Sequence, residues 1–167
     1  MSMTRHKFAQ AFLEKSGWGN ACVEPIKGDA SFRSYARIIK PDATAILMDA
    51  PPPQEDIRPF AALDIHLNEL GFSTPQILAA DAKHGFLLLE DFGTQSFSKI
   101  LKDTPQEEER LYGAAVDVLI KLAKTKPHRD LEGLGTHRHH LPLYDHKPLR
   151  AEARFLFEWA LPTLSPT

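Results

Sequence analysis

Four groups of residues have the types and spacing to do chemistry. The first is Gly28-Asp29-Ala30-Ser31-Phe32, a run of small residues followed by an aromatic. A small-residue turn between antiparallel strands can lay backbone N–H groups against phosphate oxygens, and the Ser31 hydroxyl can add a further donor. The same run also serves as an ordinary hairpin turn, and local sequence alone favours that plainer use. The second group is His137, His139, His140 and His146, which gathers imidazoles into one short segment. Imidazole is a common metal ligand, yet this spacing has no helical i, i+4 frame, no cysteine lies near, and Asp145 is the one neighbouring carboxylate. A solvated loop is the simpler reading. Cys22, the single cysteine, has no basic neighbour to activate it and reads as a small apolar residue in a strand.

The remaining groups, Asp91-Phe92-Gly93 and His128-Arg129-Asp130-Leu131, copy two short protein-kinase motifs, one for metal binding and one for the catalytic loop. Their order is reversed relative to a kinase, and Gly135 stands where the catalytic loop needs an Asn. Context makes the first a strand end with a turn and the second a solvated loop after a helix. The chain contains no nucleophile elbow, Walker loop, zinc signature or dinucleotide fingerprint.

The elements that must position these residues follow from pattern. Residues 4–16 read as an amphipathic helix with Thr4 as N-cap and Phe8, Ala11 and Phe12 on one face. Residues 22–27, 32–40 and 45–49 are short runs bounded by turn formers, the signature of three antiparallel strands. Pro51-Pro52-Pro53 then ends strand pairing, because three successive residues lack a backbone donor. Residues 56–70 carry Ile57, Phe60, Ala61, Leu63 or Asp64, Leu67 and Leu70 at helical spacing, closed by Gly71. Residues 77–81 and 86–90 form a second hairpin turned by Lys83-His84-Gly85. From Gln95 the pattern is helical. Thr104-Pro105-Gln106-Glu107 predicts a capping box, and Leu111, Ala115, Val118, Leu119 and Leu122 predict the buried stripe of the helix that follows. Residues 127–147 read as a loop and 149–161 as a last helix. The fold class is α+β: a five-stranded antiparallel sheet with one inserted helix, followed by helices.

Composition bounds the rest. The chain has 167 residues, 20 basic and 22 acidic, a net charge of −2, and is 43% hydrophobic. That length can bury a core. The near-neutral charge offers no surplus for nucleic acid or an acidic membrane. One cysteine rules out an internal disulfide and fits a reducing compartment. The apolar runs are too short to span a bilayer, and the charged N-terminal segment does not read as a signal peptide. A cytoplasmic protein is expected.

Several segments taken together resemble the aminoglycoside phosphotransferase family, whose members have a protein-kinase-like fold. These are residues 28–37, residues 46–56, Pro59-Phe60, and Gly85-Phe86-Leu87-Leu88-Leu89-Glu90-Asp91-Phe92-Gly93. Within that family they are most similar to the bacterial kinases of cell-wall recycling that act on the anomeric hydroxyl of N-acetylmuramate and N-acetylglucosamine. Leu141-Pro142-Leu143-Tyr144-Asp145, and a helix bearing Glu152 and Phe157-Glu158-Trp159, fit the same subgroup. The resemblance runs from about residue 20 onward. It implies a nucleotide-binding N-terminal lobe at 1–93, and at 94–167 the hinge exit and first helices of an incomplete substrate lobe. It also implies ATP and Mg2+ as cofactors and a small-molecule acceptor, while oligomeric state stays open.

The nucleotide-binding residues so implied are Asp29, Ala30, Ser31, Phe32 and Arg33 over the phosphates, Met48 facing the adenine pocket, and Leu89, Glu90, Asp91 and Phe92 as the hinge. Two departures qualify the resemblance. A kinase lobe carries a third-strand Lys paired with a helix Glu; here Met48 occupies that place. Arg33 or Arg37 is left to supply the cation, and neither Glu55 nor Glu69 has an evident Lys partner. The catalytic Asp and the metal ligands of the family are expected outside these 167 residues, so this chain alone is expected to be inactive. The last helices, including Phe155, Leu156 and Trp159, are then expected to be covered by chain beyond it. The alternative, from another class, is a kinase-like binding or regulatory module without catalysis.

Overall fold

A computed structural model describes residues 3–27, 31–126 and 128–161 of the chain. Strands β1 (Cys22–Ile26), β2 (Ser34–Ile39), β3 (Thr44–Asp49), β4 (Ile77–Asp81) and β5 (Phe86–Glu90) form one antiparallel sheet in the order β1-β2-β3-β5-β4. Strand side chains alternate between faces, and the central strands are apolar on both because a helix covers each. On one face, Ala9, Phe12 and Leu13 of α1 (Met3–Lys15) pack on Ile38, Ala45, Leu47, Phe86 and Leu88. On the other, Ile57 of α2 (Ile57–Glu69) joins Met48, Ala50, Leu87 and Leu89, with Tyr35, Ile46, Phe60 and Ile77 around them. This is the α+β architecture expected, with the helix inserted between β3 and β4.

Local signals explain the elements well. Asp56 caps α2 by accepting the Arg58 N–H at 2.9 Å, and Gly71, at φ +74°, receives the chain just past the helix end. Of the alternatives at the helix centre, Asp64 is the buried residue and Leu63 is exposed. The edge strand β1 is exposed along its whole length, and Pro25 is tolerated there.

Several expectations need correction. Thr4 lies inside α1 and is no cap, and the buried face of α1 is Ala9, Phe12 and Leu13, with Phe8 and Ala11 exposed. Cys22 is exposed on the edge strand, since β1 has a neighbour on one side only. After α3 (Phe97–Asp103), the Thr104 side chain makes no capping bond, and a short 3-10 turn at Pro105–Glu107 leads into α4 (Glu108–Lys124). The Glu107 carboxylate is engaged instead by Arg110 at 2.6 Å. Of the expected α4 stripe only Leu111 is buried; Ala115 is half-buried, and Val118, Leu119 and Leu122 are exposed, because no described element packs over that face.

The segment 127–147 is not simply a loop. It contains a hairpin of β6 (Asp130–Glu132) and β7 (Arg138–His140), and both strands pack against α2. Leu131 is 1% exposed, and Leu134 packs against the α2-side core. Three-residue strands are too short to show an alternation. The last helix, α5 (His146–Phe155), begins earlier than expected, capped by the Asp145 carboxylate on Lys147 N–H at 2.9 Å, and widens into a π turn over 156–160. Its Phe155, Leu156, Phe157 and Trp159 are exposed. Among the described residues, no helix is long and apolar enough to cross a membrane.

Candidate functional site

Period-2 alternation places Arg33, Tyr35 and Arg37 on the same face of β2 and its approach. That is the α2 face, since Tyr35 pairs across to Met48 and packs in the α2-side core. The two arginines make different contacts. The Arg33 Nε donates to Glu55 Oε2 at 2.8 Å, and its backbone N–H donates to the Ser31 hydroxyl at 3.1 Å. Arg37 reaches the far end of the face. Its Nε donates to Asp91 Oδ2 at 2.7 Å, and its Nη2 to Asp91 Oδ1 and to the Gly93 carbonyl, both at 3.1 Å.

Asp91, just past β5, is thus gripped by a fork of charged donors. Its side chain is 4% exposed. The Arg37 hydrogen bonds hold its carboxyl below the usual carboxylate range, against the opposing effect of burial, and the Gly93 N–H adds to them at 2.8 Å. Both oxygens are engaged, which fits a strand end with a turn. At Arg33, the hydrogen bond to Glu55 raises the guanidinium pKa, so the cation is permanent.

The backbone of residues 89–93, the expected hinge, is partly committed already. The Glu90 N–H donates to the Gln76 carbonyl at 2.8 Å, and the Gly93 N–H is held by Asp91. Among the described residues the Phe92 N–H meets no acceptor, and Phe92 is 61% exposed. Phe32, at the other end of the face, is also exposed. Met48 and Leu89 lie in the core beneath, so they form the apolar floor of this face. Asp29 and Ala30, with Gly28, lie outside the described residues.

The structure therefore brings Ser31 and Arg33 to one end of β2 and Asp91 to the other. Four residue steps separate Arg33 from Arg37, about 13 Å at about 3.3 Å per residue of extended chain. Sequence reasoning missed the partner of Glu55. Glu55 follows the turn at Pro51–Pro53, 22 residues from Arg33, and only a search for opposite charges near that turn could have suggested the pair. It also missed that Asp49 points to the α1 face, where Arg5 of α1 holds it while lying 4.0 Å over the Phe86 ring.

The other motifs go elsewhere. Asp130 opens β6 and pairs with His140 at 2.8 Å, and that bond lowers its pKa. His128 meets His66 of α2 edge to face at 5.8 Å between ring centroids. Among the described residues no three His, Cys, Asp or Glu side chains converge as a metal site.

A five-stranded antiparallel sheet of this order, with a helix inserted between β3 and β4, defines a kinase-like lobe. Residues 23–165 match the phosphotransferase enzyme family, and the chain belongs to it. The chain is 40% identical over 148 residues to an N-acetylmuramate/N-acetylglucosamine kinase of Pseudomonas aeruginosa, covering 87% of this chain and 40% of that protein. It is 35% identical over 147 residues to the protein of the same name in Pseudomonas putida, covering 86% of this chain and 40% of that one. A third protein of that name, from Caulobacter vibrioides, is 31% identical over 149 residues, covering 73% of this chain and 41% of the relative. The chain thus spans about two fifths of the length of the curated relatives it matches.

Proposed function

We propose that this chain supplies the nucleotide lobe of an ATP-dependent kinase that phosphorylates a hydroxyl of a small molecule, an amino sugar of the N-acetylmuramate or N-acetylglucosamine type. The observation that carries the reading is the α2 face of β2. A permanent cation stands at the Ser31 end, a backbone hinge at the other, and the separation of about 13 Å suits a base at one end and polyphosphate at the other. The sugar class rests on the names of the relatives.

In this reading Asp29, Ala30, Ser31, Phe32 and Arg33 surround the phosphates, and Leu89, Glu90, Asp91 and Phe92 form the hinge, with the base reaching the backbone at Phe92. Met48 and Leu89 give the pocket its apolar floor. Residues 1–93 are the nucleotide lobe, and 94–167 begin the acceptor lobe. ATP supplies the transferable phosphoryl group. Ser31 and Arg33 are of a chemistry suited to its anionic end. The ligands of Mg2+ and the base that accepts the hydroxyl proton belong to residues outside this chain, so these 167 residues alone are inactive. The setting is cytoplasmic recycling of cell-wall sugars.

The test is transfer of radiolabelled phosphate from ATP by a protein that contains this chain and continues past Thr167. N-acetylmuramate, N-acetylglucosamine, choline and aminoglycosides serve as acceptors. Transfer to the amino sugars is expected; transfer to an aminoglycoside with none to the sugars overturns the acceptor class. Met48 in the place of a lysine favours a second reading, a non-catalytic kinase-like module. Tight binding of a protein partner, with no thermal shift on adding ATP and Mg2+, would select it.

A further inference from the structure

We infer that Arg33, held by Glu55, is the cation that meets the terminal phosphates of a nucleoside di- or triphosphate, replacing a lysine on β3. The inference rests on the nucleotide-lobe reading above and names the residue that makes the lobe selective for phosphorylated nucleosides. Strand β3 offers that face no charge. Met48 is apolar and 1% exposed, and Asp49 turns to the opposite face, where Arg5 holds it. Among the described strand side chains of the α2 face, the cations come from β2 and its approach. Arg37 is consumed at the hinge by Asp91 and the Gly93 carbonyl. That leaves Arg33.

Its surroundings set both its position and its direction. The Glu55 side chain is 17% exposed and that of Arg33 30%, so the guanidinium is the more solvent-accessible partner of the pair. Glu55 takes the Nε edge of the fork, and a guanidinium carries five donors in a fixed plane, suited to two phosphate oxygens at once. Glu55 is itself fixed. Its N–H donates to the Pro51 carbonyl at 3.1 Å, and the same turn is tied to the β4–β5 turn through Ala50 N–H and the Gly85 carbonyl at 2.8 Å. The Arg33 N–H on the Ser31 hydroxyl joins the cation to the loop that precedes β2.

The test is calorimetric titration, with ATP, ADP and adenosine, of the same protein that contains this chain and continues past Thr167. Arg33→Met should weaken ATP and ADP binding by about tenfold or more, the scale of a lost charged hydrogen bond, and leave adenosine within about twofold. Arg33→Lys, which keeps the charge and loses the fork, should recover part of the loss. The charge swap Arg33→Glu with Glu55→Arg separates the two possible roles. It restores an ion pair and a near-normal melting temperature while ATP affinity stays low. Recovery of ATP affinity in the swap, or an equal loss of ATP and adenosine in Arg33→Met, overturns the role of Arg33 and leaves the lobe reading standing. Absence of binding to all three ligands by the unaltered longer protein overturns the lobe reading, and this inference with it.

Discussion

Replacing Gly85 by Ala should be among the most damaging single-methyl additions in the chain. Gly85 turns the β4–β5 hairpin at φ +72°, with its N–H on the Asp81 carbonyl and its own carbonyl accepting the Ala50 N–H. An added Cβ would sit 2.0 Å from the Ala50 oxygen and 2.9 Å from Pro52 Cδ. Placing an L side chain in the left-handed region costs about 1–2 kcal/mol. The clash is with backbone, so the two turns must part. The Ala50 N–H, in a fully buried residue, then loses its acceptor at a cost of about 1–3 kcal/mol. Together these come to about 2–5 kcal/mol, a large part of the stability of an ordinary domain. Gly93→Ala is the matched control, because Gly93 has φ +81° and nothing within 4 Å of an added Cβ. It should lose only the conformational part, about 1–2 kcal/mol. Urea unfolding with a shared slope measures both. A Gly85→Ala loss no greater than that of Gly93→Ala would refute the close approach of the turn that carries Glu55.

Three further perturbations test other parts of the molecule. Leu131→Ala empties a site that is 1% exposed where the β6–β7 hairpin meets α2, and should cost about 2–4 kcal/mol. Amide exchange should quicken first in the hairpin and on α2, and an unchanged pattern would contradict the docking. Asp91 has its carboxyl lowered by Arg37, so its stabilising contribution is complete above the unfolded carboxylate value and is lost as pH falls through the lower folded value. Asp91→Asn should remove that part of the acid-side pH dependence, read as urea midpoints between pH 5 and pH 2. Burial pushes the Asp64 carboxyl up, the opposite sign, so Asp64 weakens the fold progressively as pH rises from the unfolded value through the folded one. Asp64→Asn should therefore be more stable than the parent at pH 7, with the advantage gone at pH 3; a loss at pH 7 would contradict it.

Where local chemistry governs, residue order determines the result. The β4 and β5 bounds coincide with the expected runs 77–81 and 86–90, and the end of α2 at Gly71 follows from the residue itself. The same holds for the inserted helix, because apolar spacing and a cap act within one or two turns. The α4 stripe shows the limit of that reasoning: periodicity marks Val118, Leu119 and Leu122 as apolar, but burial needs a partner surface, and no described element provides one.

Tertiary structure alone decided the long-range ion pairs. Arg33 meets Glu55 and Arg37 meets Asp91 on the α2 face, and Arg5 meets Asp49 on the α1 face, across 22, 54 and 44 residues, and no short-range period encodes such pairs. The docking of Leu131 and Leu134 on the α2 side is of the same kind. The sequence by itself determined which residues could bind a phosphate and which strand would carry them. Which arginine pairs beside Ser31 and which holds Asp91 past β5 depended on where Glu55 and Asp91 fall once the sheet has closed, since an ion pair forms only between groups the fold brings within a few ångströms.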